Sequence, residues 1–147
     1  MKSLLCTIMK SVAGKYRDIV SMSPIVSISY EKIYVIWCNL LKALVDVGFD
    51  VTLTMNDQHP SNVKFFEKVI GKSLNVALTE SQLCGIYTLN PYDSNKKIYI
   101  AFDPTHIFKN FYNNFQSYGV LHFPSFSDEK GFVEANFNHL RELYDIE

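Results

Sequence analysis

The chain is 147 residues long, enough for one domain with a core of its own. Hydrophobic residues make up 48% and charged residues 20%, which excludes a disordered or fibrous chain, and a formal net charge of −1 argues against a self-sufficient, strongly basic DNA-binding module. No run of about 18 uncharged apolar residues occurs, so neither a transmembrane helix nor a membrane partner is expected. Met1-Lys2-Ser3-Leu4-Leu5-Cys6 has the look of a secretory start, but Lys10 interrupts the apolar run and no small-residue cleavage pattern follows. Cys6, Cys38 and Cys84 are odd in number and widely spaced. That fits neither a disulfide framework nor a CxxC zinc site, and suits an intracellular, reducing compartment.

In chain order, residues 4–12 are rich in strand formers, Ala13-Gly14-Lys15 reads as a tight turn with Gly14 at positive φ, and residues 16–22 read as a second strand. Pro24 is expected to end that hairpin, because proline cannot donate to a ladder. Lys10, Lys15 and Arg17 gather around its turn, either as a basic patch or simply as a solvated hairpin surface. Ser29 is a candidate N-cap for a helix whose stripe is Ile33, Trp37, Leu40, Leu41, Leu44 and Val47, closed by Gly48. That stripe reads as core and carries no chemistry. A strand over 50–55 and a helix over 61–70, with Val63, Phe66, Val69 and Ile70 on one face, come next. Residues 71–95 show no firm period, and Pro91, Asp93, Ser94 and Asn95 read as a loop. A strand over 97–102, a helix over 104–116, a loop over 124–130 and a short helix over 136–144 complete the chain. The order, β-β-α-β-α-loop-β-α-loop-α, predicts an α/β fold: a hairpin, then βαβ units, in one mixed sheet flanked by helices.

Two acids directly follow strands, Asp57 and Asp103. Sites in α/β sheets gather at the carboxyl ends of parallel strands, and two oxygen ligands there would suit Mg²⁺. For Asp103 the plain reading is structural, since Asp-Pro-Thr-His spells N-cap, N1, N2 and N3 of a helix. Ser61 can cap the helix after Asp57, which leaves Asp57 at a strand tip either without a structural task or as a capping or turn-forming residue. On the first view Asp57→Ala costs less stability than Asp103→Ala, or even adds some. His106 is expected in the first turn after Asp103, facing the same sheet edge as Asp57, with Ile107, Phe108, Phe111 and Phe115 pointing to the core and Asn113 and Asn114 exposed. His59 and His106 lack HxH or HExxH spacing, which argues against zinc. A small hydrolase using Asp103 and His106 would need a nucleophile, and none is signalled by spacing.

Three blocks, "KSVAGKYRDIV", "LVDVGFDVTLTMNDQHPSNVKFFEKV" and "FDPTHIFKNFYNNFQ", resemble consecutive segments of P-element-type transposases, the group that includes the THAP-domain transposases. "ANFNHLRELYDIE" resembles the start of that family's insertion region. The resemblance implies an RNase H-like fold that cuts and joins DNA with Mg²⁺ and three acids, interrupted by a GTP-binding insertion. It implies a partial RNase H-like domain over 1–118 and the start of the insertion over 119–147. Asp57 then resembles the second catalytic, metal-binding acid, followed five residues later by Asn62. Asp103, Pro104, His106, Lys109 and Asn110 match the family's acid-Pro-x-His-x-x-Lys-Asn block, which stands near the site or serves structure and is not counted among the catalytic acids.

The family's first acid lies on a central strand before the region matching Met1, and its third follows the insertion. The expectation is therefore an incomplete RNase H-like sheet lacking its first strand, holding one acid of three, truncated and inactive alone, with no GTP affinity. Its implied partners are transposon DNA and a full-length transposase, and its implied location is the nucleus. The alternative is a non-catalytic interaction or regulatory module domesticated from a transposase.

Overall fold

The structure, a computed structural model, describes residues 3–81, 85–124 and 131–144. They fall into two compact units, Met1–Phe102 and Asp103–Glu147.

The first unit opens with a hairpin of β1 (Ser3–Lys10) and β2 (Arg17–Ile25), antiparallel with a register shift between Thr7 and Ile8. Gly14 in its turn is not at positive φ. Its N–H donates to Ser11 Oγ at 2.9 Å, and a Cβ on residue 14 would stand 3.0 Å from that oxygen. What favours glycine there is close approach to the Ser11 hydroxyl rather than a left-handed backbone. Pro24 does not end the second strand: it lies inside β2, opposite Leu4. Among the described residues β2 has a neighbour on one side only, and a strand edge tolerates a missing donor.

Helix α1 (Tyr30–Asp46) starts where Ser29 Oγ accepts from the Lys32 N–H at 3.4 Å. It ends with Gly48 at φ +91°, whose N–H donates to Val45 O while Phe49 N–H donates to Leu44 O, both at 2.9 Å. This pair of bonds is the Schellman closure that a C′ glycine permits. Then come β3 (Leu53–Asn56), α2 (Pro60–Ile70), α3 (Leu74–Ser81), β4 (Tyr87–Asn90) and β5 (Asp93–Phe102). The expected loop at 93–95 is already strand. The reversal needs only Pro91 and Tyr92, because buried Asn90 accepts the Tyr92 N–H at 2.9 Å through its side chain. Strands β3 and β5 are parallel, as expected, from Leu53 beside Tyr99 to Asn56 beside Phe102. Strand β4 lies antiparallel on the other side of β5.

One face of this three-stranded sheet is covered by α1 and α2. Ile33, Phe65 and Phe66 are buried there, against Trp37, Val69, Ile100 and Phe102 among others. The rings form a chain, Trp37 against Phe65 (5.8 Å), Phe65 against Phe66 (5.4 Å) and Phe66 against Phe102 (5.2 Å). Phe65 was not singled out in the sequence, yet it is 1% exposed. Among the described residues the hairpin is not hydrogen-bonded to this sheet, so in place of the single mixed sheet expected from the element order they form two separate sheets in this unit.

In the second unit, α4 (Pro104–Tyr118) is followed by an antiparallel pair, β6 (Val120–Pro124) and β7 (Phe132–Asn136), and by α5 (Phe137–Tyr144). The strands are too short to show a period in sequence. Of the loop expected at 124–130, Pro124 is the last residue of β6, and the rest lies outside the described residues, as does Cys84. The core-facing stripe predicted for α4 is not buried. Ile107, Phe108 and Phe111 are 39%, 72% and 49% exposed, and only Phe115 is half-buried. Asn113 and Asn114 are exposed as expected. The reason is scarcity of partners: Phe137, stacked edge-on against Tyr112 and Phe115, is the one buried hydrophobic of this unit among the described residues.

Candidate functional site

Asp57 sits immediately after β3, at the carboxyl end of a parallel pair. Two forces hold that strand end in place. The register with β5 fixes its height, and Trp37 Nε1 donates to Thr54 Oγ1 at 3.1 Å, tying β3 to α1. Beyond the strand, Asp57 Oδ1 accepts from the His59 N–H at 2.9 Å and from Asn62 Nδ2 at 2.7 Å. The first bond shapes the turn from strand to helix, and the second anchors the carboxylate to the first turn of α2.

The cap of α2 is not Ser61. His59 Nδ1 accepts the Ser61 N–H at 3.2 Å, with Pro60 as the first helical residue. An accepting Nδ1 assigns the imidazole proton to Nε2. Ser61 Oγ turns instead to the carbonyl of Ile28, 3.4 Å away. Of the two readings open to Asp57, the turn-forming one holds: its carboxylate builds the turn that the helix starts from. His59 was missed as a cap because histidine is seldom one; the Pro60 that follows it was the available signal.

Asp103 does what its sequence predicts. It caps α4, and Oδ1 accepts the Thr105 N–H at 2.9 Å. His106 Nε2 stands 3.9 Å from Asp103 Oδ2, beyond hydrogen-bond range. Lys109 and Asn110 lie exposed on the next turn. The residues singled out in sequence thus form two sets. Asp57 and Asn62 meet directly in the first unit, whereas Asp103 and His106 open the second.

Asp57 presents one carboxylate with an oriented amide neighbour. Among the described residues no three His, Cys, Asp or Glu side chains gather closely enough to hold a metal. This donor set fits a single ligand of a hard cation such as Mg²⁺, oriented by Asn62, and not a complete cage.

No family model matches the sequence, and comparison with curated proteins finds no match. The fold does have a counterpart. It superposes on part of a Drosophila P element transposase strand transfer complex with a TM-score of 0.69, over 97% of this chain and at 17% identity. The chain spans 27% of the length of that transposase chain. At such identity the likeness is one of fold, here a mixed α/β arrangement compatible with a transposase domain.

Proposed function

We propose that this chain is a transposase-derived domain, built on the RNase H-like region of P-element-type transposases, with residues 119–147 corresponding to the start of the family's insertion. The observation that carries the reading is the fold likeness over 97% of the chain, together with Asp57 and Asn62 hydrogen-bonded at the end of a parallel strand. The sequence blocks in family order point the same way.

In this reading Asp57 is the metal-facing acid and Asn62 its positioning residue. Mg²⁺ would supply the polarisation of a phosphodiester in the complete enzyme. The residues present here hold and orient one carboxylate, so the 147-residue chain by itself neither cuts nor joins DNA. Transposon DNA, a nuclear location and association with a full-length transposase belong to the same proposal. Titrating Mn²⁺ into labelled protein tests it by NMR. Paramagnetic broadening should centre on residues 56–62 and vanish in Asp57→Asn. Broadening that is absent, or that survives this change, overturns the role of Asp57. Metal-dependent nicking of transposon-end DNA, lost in Asp57→Asn, would overturn the claim of inactivity.

A second reading, an interaction module retained without catalysis, draws on the uncovered face of the three-stranded sheet, where Leu53, Met55, Leu89 and Tyr99 are each more than two-fifths exposed. Co-elution with a full-length P-element-type transposase that Met55→Asp abolishes would favour it. A chain that elutes alone in such a mixture would count against it.

A further inference from the structure

The hairpin carries a charge arrangement that neither the fold nor the candidate acid requires. Lys10 and Arg17 are directly opposite each other in the ladder, at the turn end of β1 and β2, and Lys15 lies in the turn between them. All three are exposed. Among the described residues none of them takes part in an ion pair. The nearest acid in sequence, Asp18, pairs with Met9 and so lies on the opposite face of the ribbon, where its Oδ1 accepts the Ile19 N–H at 2.8 Å. Opposite residues of a ladder share a face, so two cations stand side by side without a neutralising partner. Like charges placed so weaken a hairpin in isolation. The arrangement becomes favourable when a polyanion neutralises it.

Shape adds to charge. The ribbon has two strands only and is hydrogen-bonded to no other strand among the described residues. A two-stranded ribbon fits the major groove of duplex DNA, about 12 Å wide. Duplex DNA also presents about one negative charge per 1.7 Å of axis, dense enough to meet three cations confined to one turn. The chain's net charge of −1 does not oppose this, since contact depends on the local field and long-range charge is screened beyond about 8–10 Å.

We infer that the turn end of the β1–β2 hairpin is a duplex-DNA backbone contact, in which Lys10, Lys15 and Arg17 bind phosphates. The choice of DNA as the polyanion rests on the function proposed above, whereas the surface itself stands on charge placement and ribbon shape. The contact reads no sequence, because phosphates carry none.

Fluorescence anisotropy of a labelled random-sequence duplex with the 147-residue protein tests the inference, in EDTA so that no metal at Asp57 takes part. Three neutralised phosphates predict a slope of log affinity against log salt of about −2.7, roughly a 40-fold loss between 50 and 200 mM salt. The triple change Lys10→Ala, Lys15→Ala, Arg17→Ala should abolish that binding, while Lys10→Arg, Lys15→Arg, Arg17→Lys retains it. Circular dichroism shows whether each variant is folded. Lys42→Ala, at a cation already paired with Asp46 at 2.7 Å, should bind as the parent does. Three results would overturn the inference: no binding by the parent at 50 mM salt, unchanged slope in the folded triple alanine variant, or equally tight binding to polyglutamate. The last would point to an acidic protein partner. Loss of DNA binding here leaves the metal role of Asp57 standing, and failure of the Mn²⁺ experiment leaves this surface standing.

Discussion

Asp57 illustrates how one side chain can serve two masters. Its Oδ1 collects an N–H from the turn and an amide from α2, both within 2.9 Å. Hydrogen bonds to a charged acceptor contribute about 1.5–3 kcal/mol each, net of exchange with water, and partial exposure lowers that. Asp57→Ala should therefore destabilise by about 1–2 kcal/mol in urea titrations, not less than the about 0.5–2 kcal/mol expected for removing the Asp103 cap. The Asp57→Ala, Asn62→Ala double-mutant cycle should show a coupling of about 0.5–1.5 kcal/mol. Additive losses would mean that the 2.7 Å contact is energetically idle. Asp103 was legible as a cap from residue type and the proline behind it. The bond between Asp57 and Asn62 was not, because side chains five positions apart meet only when a turn of a particular shape joins strand to helix. Their pairing came into view only through the resemblance to a family motif.

At the scale of elements, the caps of α1 and α4 read correctly, whereas Gly14, Pro24 and Ser61 take other roles than their residue types suggest. Helix α1 was legible at both ends, Ser29 and Gly48, because caps act through backbone groups within a few residues. Helix α3 and strands β4, β6 and β7 were not legible, since these short elements show no period of their own and are held by their neighbours. The two aromatic helices show the difference that context makes. Phe66 is fully buried and Phe108 is 72% exposed. Phe66→Ala should cost about 3–5 kcal/mol, and Phe108→Ala within about 0.5 kcal/mol, by thermal or urea melts. A large loss at Phe108 would show that α4 finds a partner surface in solution. In the first turn of α1, hydrogen bonding to its own backbone N–H, then to Ser29 and Tyr30, holds the Glu31 carboxyl below its usual range. A carboxylate so depressed stabilises the folded state above its unfolded pKa, and that help is lost as pH falls through the lower folded value. Glu31→Gln should therefore flatten the acid limb of a melting-temperature profile between about pH 5 and pH 3 and leave its alkaline limb unchanged.

For the molecule as a whole, composition and element order predicted the α/β class, and the parallel pairing of β3 with β5 followed from the strand–helix alternation. What element order could not convey was that the hairpin forms its own sheet, because hydrogen bonding between strands depends on how their edges approach, not on sequence order. That division has a consequence in time. Residues of the hairpin meet across one short turn, whereas Leu53 reaches Tyr99 only after α2, α3 and β4 have been gathered between them. Closing a long loop precedes the contacts that reward it, so distant parallel pairing is slow to form. Asp57 stands at the end of that pairing. The carboxylate is therefore presented only after the hairpin has formed, once the chain between 56 and 99 has been gathered in. Pulsed hydrogen exchange during refolding should protect amides of residues 4–9 before those of 53–56 and 99–102. The opposite order would show that the parallel pair nucleates the unit.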